Sequence, residues 1–121
     1  MTQKTTLTES DLRQFTGTEF WYRHPFKRSI TYTDGVKYVA DTAGAYWLID
    51  AIVFAQLEKR IAAEEFQLWK LQVNPNATAQ LTCEDGNGKV VKTKRLTFTD
   101  FPLAEITFYF TNNVLLLPSE Y

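Results

Sequence analysis

Apolar side chains recur at helical spacing through the first half of the chain and at strand spacing through the second. Thr8-Glu9-Ser10-Asp11 supplies capping hydroxyls and early carboxylates, and Leu12 with Phe15 forms a short apolar stripe. Gly17 is expected to end that helix with a left-handed turn. Phe20 to His24 reads as a strand stopped by Pro25, with Ser29 to Thr33 as its hairpin partner. Thr33-Asp34 then offers a second N-cap, and Val36, Val39, Ala40 and Ala43 fall on one face of a helix. Gly44 breaks it, and a longer helix is predicted from about Ala45 to Ala63. The first turns of that helix are apolar nearly all round, so it is buried inside the domain or in a dimer contact.

From Phe66 the period shortens to two. Trp69, Leu71 and Val73 share one face, with Leu68, Lys70 and Gln72 on the other. Asn74-Pro75-Asn76 turns into a strand from Gln80 to Glu84, which carries Leu81 and Cys83 on one side. Asp85-Gly86-Asn87-Gly88 is the strongest hairpin signal in the chain. Val90 to Phe98 leads away from it, and Asp100-Phe101-Pro102 stops that strand. Ile106 to Thr111, a turn at Asn112-Asn113, and Val114 to Leu117 complete the pattern. Early helices, late strands and short connections predict one α+β domain over residues 1–121. Its expected architecture is an antiparallel β-meander of four to five strands, covered on one face by the N-terminal helices.

A length of 121 residues is that of one ordinary domain, and 45% hydrophobic residues with nine Phe, six Tyr and three Trp exclude a disordered chain. Thirteen basic and 14 acidic residues exclude a uniformly basic coat for duplex DNA, while leaving local patches open. The most apolar run, Ala43 to Ala55, is interrupted by Asp50 and is too short for the roughly 20 residues a hydrocarbon core requires. Residues 1–15 lack the apolar stretch of a secretory signal, and Asn76-Ala77-Thr78 is then a chance match to a glycosylation acceptor. A cytoplasmic location without a membrane anchor is expected.

Several segments also carry a resemblance. They are Phe15-Thr16-Gly17-Thr18-Glu19 with Trp21-Tyr22-Arg23-His24, Tyr32-Thr33-Asp34-Gly35-Val36, and Gly44-Ala45-Tyr46-Trp47-Leu48-Ile49-Asp50-Ala51-Ile52. Thr99-Asp100-Phe101-Pro102-Leu103 and Leu116-Leu117-Pro118-Ser119-Glu120-Tyr121 complete the set. Over nearly its whole length the chain resembles a family of short bacterial proteins, known from cyanobacteria and from plasmid- or phage-like surroundings, whose domain has no assigned function. The resemblance implies no activity, cofactor or catalytic residue; an accessory role on mobile elements is its one hint.

The residues themselves narrow the chemistry. His24 is the sole histidine and Cys83 the sole cysteine, so a disulfide within the chain is excluded and a transition-metal site lacks its usual ligands. No G-x-S-x-G elbow presents a serine, and Gly86-Asn87-Gly88-Lys89 joins two strands rather than opening a helix onto a phosphate. No metal and no cofactor are implied. Cys83, alternating with Leu81, reads as a small core residue. Asp50 stands in the apolar part of the long helix, where an unpaired charge is costly. It either faces solvent, pairs with a base such as Arg23, or forms a small-molecule pocket or acid–base site with Tyr46 and His24.

Two basic–aromatic stretches suit single-stranded nucleic acid, where rings stack bases and cations follow phosphate. One holds Trp21, Arg23, Lys27 and Arg28; the other is a hairpin arm with Lys92, Lys94 and Arg95. A strand's lysines also discourage edge pairing, so the arm has a structural reading too. The last class is protein interaction: the all-round apolar helix and Ile106 to Phe110 offer more apolar surface than two thin layers hide. The sequence therefore favours a non-enzymatic interaction or accessory protein acting on a protein partner or as a homodimer. Nucleic-acid binding stands second, and a ligand pocket at Asp50 third.

Overall fold

A computed structural model describes residues 6–121, so the leader reading of the first five residues lies outside the described residues. Among the described residues, four helices precede most of a seven-stranded sheet. The order is α1 (Glu9–Arg13), β1 (Trp21–Arg23), β2 (Thr31–Thr33), α2 (Asp34–Ala43), α3 (Tyr46–Ala55) and α4 (Lys59–Ala62). Then come β3 (Phe66–Val73), β4 (Ala79–Glu84), β5 (Val90–Leu96), β6 (Glu105–Thr111), β7 (Val114–Leu116) and a final 3₁₀ turn, Pro118–Glu120.

The α+β class holds, but the sheet is larger than the four to five strands expected and is not a simple meander. Its order is β1-β2-β7-β6-β3-β4-β5. The first hairpin joins the same sheet through β7, and that contact, Thr31 with Val114 and Tyr32 with Leu115, is its one parallel pairing. β6 returns to pair with β3 rather than with the preceding β5. The short strands β1 and β2 carry too little apolar alternation to announce that pairing.

Register puts one set of side chains on a single face. Cys83 and Phe108 flank Trp69, Leu81 and Ile106 flank Leu71, and Leu115 lies between Phe110 and Tyr32. All of these are buried, as are Val36, Val39, Ala40, Leu48, Ile49, Ile52 and Val53 of the helices. The apolar face of α3 thus lies in the domain core, with Tyr46 and Phe54 left at the surface.

Two sequence expectations fail in detail. Gly17 is not among the residues with positive φ, and α1 instead ends on Gln14 in a right-handed conformation. The helix predicted from Ala45 to Ala63 breaks after Ala55, where Glu58 is extended at φ −81°, ψ 118°. A buried amide network explains the break. Gln56 donates to the carbonyl of Ile52 and exchanges two hydrogen bonds of 2.8 and 2.9 Å with Gln67. Gln67 also donates to Ile61 O and accepts from Trp69 Nε1. Tertiary hydrogen bonding overrides helix propensity here. The Asp85-Gly86-Asn87-Gly88 hairpin joins β4 to β5 as expected, with Gly88 alone of these residues at positive φ, 83°. The carboxylate of Asp85 accepts the N–H groups of Asn87 and Lys89, which hold it below the usual carboxylate range.

Other local expectations are met by mechanism. Gly44 caps α2 in the left-handed conformation at φ 63°. Asn112 and Asn113, at φ 52° and 61°, form the two-residue turn that matches strand twist. The first three N–H groups of α2 all find acceptors. Asp34 N donates to Thr18 Oγ1, Gly35 N to Glu120 Oε2, and Val36 N to Thr33 Oγ1. The conformation of the C-terminal Leu-Pro-Ser-Glu segment is therefore tied to the start of a helix 85 residues earlier.

Cys83 is buried beside Trp69 in the sheet. Burial, reinforced by the charges of Glu64 and Asp85, pushes its thiol up to about 12. The thiolate is the nucleophile, so the folded protein should resist iodoacetamide at pH 8 and react once denaturant is added. Unfolding releases a thiol of ordinary acidity, which ionises first as pH rises. This group's contribution is complete below about 9 and is lost as pH climbs toward about 12. Equal alkylation rates with and without denaturant would sink this assignment.

Candidate functional site

β1 forms one end of the sheet, and the turn after it carries Pro25 and Phe26. His24, 1% exposed, organises that turn. Its Nδ1 accepts the N–H groups of Phe26 and Lys27 at 3.2 and 3.3 Å, so the proton resides on Nε2, which donates to Asp50 Oδ1 at 2.8 Å. His24 and Asp50, grouped by the sequence with Tyr46, are in contact. Both ring nitrogens are occupied, so the imidazole offers no free lone pair for general-base work. The pair fastens the β1–β2 turn to α3.

Tyr46 does not join them. Its hydroxyl donates to Asp41, and burial together with that bond raises its pKa above the ordinary value. The Asp50 side chain is 46% exposed, so it sits at the surface beside the buried imidazole rather than in a closed pocket. A cleft of about 470 Å³ does exist between α1, β6 and the 3₁₀ turn, lined by Glu9, Arg13, Glu105 and Ser119 among others, but Asp50 is not part of it.

Around His24 the surface is aromatic. Phe26 and Phe54 lie 6.0 Å apart between ring centroids, and each stands 6.1 Å from the imidazole. Phe26 is 78% exposed, Phe54 45% and Trp21 56%, and Phe20 and Leu57 are also open to solvent. Arg28 is exposed in the same turn as Phe26 and Lys27 is partly so, while Trp21 and Arg23 are exposed on the opposite face of β1. On the same side of β1 as His24, Tyr22 stacks on Tyr32 at 5.6 Å and donates to Asp34 Oδ1. Asp34 also accepts from Glu19 and Phe20 N–H groups, which lower its pKa, while the hydrogen bond it takes from Tyr22 raises the pKa of that phenol.

The second basic–aromatic stretch is elsewhere. β5 lies six strand spacings from β1, roughly 29 Å away at 4.8 Å per step, so the two stretches do not line one groove. Within β5 the cations are also divided. Lys92 and Lys94 pair in register with Cys83 and Leu81 on the helix-covered face, and Arg95 with Gln80 on the opposite one. Lys92 bonds Glu58, and Arg60 donates to the carbonyl of Val91.

The sequence did not single out Phe54, Glu120, Gln56 or Gln67 for the site, and read Asp34 only as part of a helix N-cap. Gln67 was the most accessible of these: continuing the Leu71, Trp69 alternation backwards places it on the buried face. Glu120 had no local signal, since its partners are Thr33 and Gly35.

A helix-and-sheet α+β domain with an aromatic corner at one sheet end is the class these features define. The chain belongs to a family of unknown function, DUF6876, whose model matches residues 6–121. No curated protein and no solved structure matches it. Among the described residues, no helix is long and apolar enough to cross a membrane.

Proposed function

We propose that the chain is a non-enzymatic interaction protein whose binding surface is the aromatic corner formed by Phe26 and Phe54. The observation that carries this reading is the support beneath the corner. Two large rings face water while the imidazole they rest on is buried with every polar atom satisfied. Such rings are presented already ordered, so a partner gains their burial, about 1.5–3 kcal/mol per fully covered ring, at a small entropic cost. Exposed aromatics next to arginine are the composition of interface hot spots. An accessory role in the cytoplasm is consistent with a single, buried, reduced thiol.

The test is site-specific photocrosslinking in the producing cells. A benzophenone amino acid in place of Phe26 should give a discrete protein adduct, and the same group in place of Thr93 on the far sheet edge should not. Adding Phe54→Ser should abolish the adduct. Absence of any adduct at position 26 would refute the reading.

A further inference from the structure

We infer that the partner at this end of the sheet is a second copy of the chain, joined by antiparallel pairing of β1 with β1 about a two-fold axis at Tyr22. The inference rests on the interaction reading above and adds the occupant.

The two sheet edges are built differently. The β5 edge carries Lys92, Lys94 and Arg95, a register shift after Cys83, and the guanidinium of Arg60 on the Val91 carbonyl. Those are the usual devices that keep a strand from pairing with another chain. β1 reads Trp-Tyr-Arg, without lysine, proline or bulge.

Its free hydrogen-bonding groups can be assigned from the ladder. His24 N donates to Ile30 O at 3.0 Å, and Thr31 N points the other way, to Asn113 O. Hydrogen-bonded pairs alternate along an antiparallel ladder. Tyr22 therefore exchanges bonds with Tyr32, while the N–H and C=O groups of Trp21 and Arg23 point outward from the sheet.

A two-fold axis at Tyr22 sets Trp21 opposite Arg23 of the second copy, and Arg23 opposite its Trp21. The outward groups then meet in two reciprocal pairs, giving four backbone hydrogen bonds. Trp21 and Arg23 share one face of the sheet, so each guanidinium meets an indole, a favourable cation–π contact made twice. The same register brings exposed Phe20 opposite His24 of the other copy, the residue on which Phe26 and Phe54 rest. One surface thus carries both halves of each contact, as an isologous interface requires.

Light scattering during size-exclusion chromatography tests this. The wild-type chain should run at twice its 14.0 kDa. Trp21→Arg sets arginine against arginine and should weaken the dimer at least tenfold. The exchange of the two residues, Trp21→Arg with Arg23→Trp, restores both reciprocal pairs and should restore the dimer. Both residues are exposed, so all variants should keep the wild-type far-UV circular dichroism and, at dilutions where every chain is monomeric, the same melting temperature, which separates lost pairing from lost folding. A wild-type monomer at every concentration, or an exchange variant that stays monomeric, would overturn the inference. Crosslinking at Phe26 separates the two readings. An adduct of some other protein's mass overturns self-pairing alone, and no adduct overturns both.

Discussion

Gln67→Leu is expected to lower the stability of the fold by about 3–4 kcal/mol, although leucine is the more hydrophobic residue and similar in size. Gln67 is fully buried and lies at the centre of the amide network. Leucine would leave the Trp69 N–H, the Ile61 carbonyl and one side of the Gln56 amide without partners, at about 1–3 kcal/mol each. The apolar transfer gain of about 1–2 kcal/mol offsets only part of that. Domains of this size have about 5–15 kcal/mol in total, so the urea midpoint should fall by roughly 2 M with an unchanged slope. Gln56→Leu makes the informative comparison. There Gln67 keeps Trp69 and Ile61 as partners, so the loss should be only about 1 kcal/mol. Equal losses at the two positions would show that the network does not work as described.

The same network shows what the sequence could and could not disclose. Periods of 3.6 and 2 follow from burial of one face, so α2, α3, β3, β4 and β6 were legible wherever the chain alternates cleanly. Turns were legible where their chemistry is local, as at Gly44, at Gly88 and at Asn112-Asn113. The break after Ala55 was not, because its cause lies 11 residues away in Gln67. Nor was the parallel pairing of β2 with β7, which joins strands of three residues separated by most of the chain. At the candidate site, the cost of an isolated charge in an apolar helix led to solvent exposure or a basic partner such as Arg23 for Asp50. His24 was named only as part of a pocket with Tyr46. The structure pairs Asp50 with His24 and leaves the Asp50 side chain 46% exposed. The role of that pair was not legible, because only the backbone geometry of Phe26 and Lys27 reveals that Nδ1 is occupied. Phe54 had looked like core for the same reason as its neighbours. Its ring is instead part of the surface on which Phe26 rests.

Gly35→Ala should cost about 2–3 kcal/mol even though alanine favours a helix over glycine by about 1 kcal/mol. A methyl group at this position would lie 2.6 Å from Glu120 Oε1 and 2.7 Å from Leu117 Cδ1. Flexible side chains ordinarily yield to such a contact, but these two are held. The Glu120 carboxylate accepts from Thr33 Oγ1, Gly35 N and Leu117 N at 2.6, 3.1 and 2.9 Å, and Leu117 is itself 1% exposed. Moving the carboxylate breaks the cap on α2, while leaving it in place overpacks the site. Glu120→Ala alone removes the cap and the favourable charge at the helix N-terminus, for about 2 kcal/mol. In the double variant the largest part of the clash is gone, so the two losses should not add. A coupling of about 1–2 kcal/mol is expected from a thermal or urea double-mutant cycle. Strict additivity would mean that Glu120 gives way freely, and that the C-terminal turn does not fix the start of α2. A large coupling would show that Gly35 and Glu120 act together, joining Tyr-Thr-Asp-Gly-Val and Leu-Pro-Ser-Glu-Tyr in one cap directly behind the strand that carries Trp21.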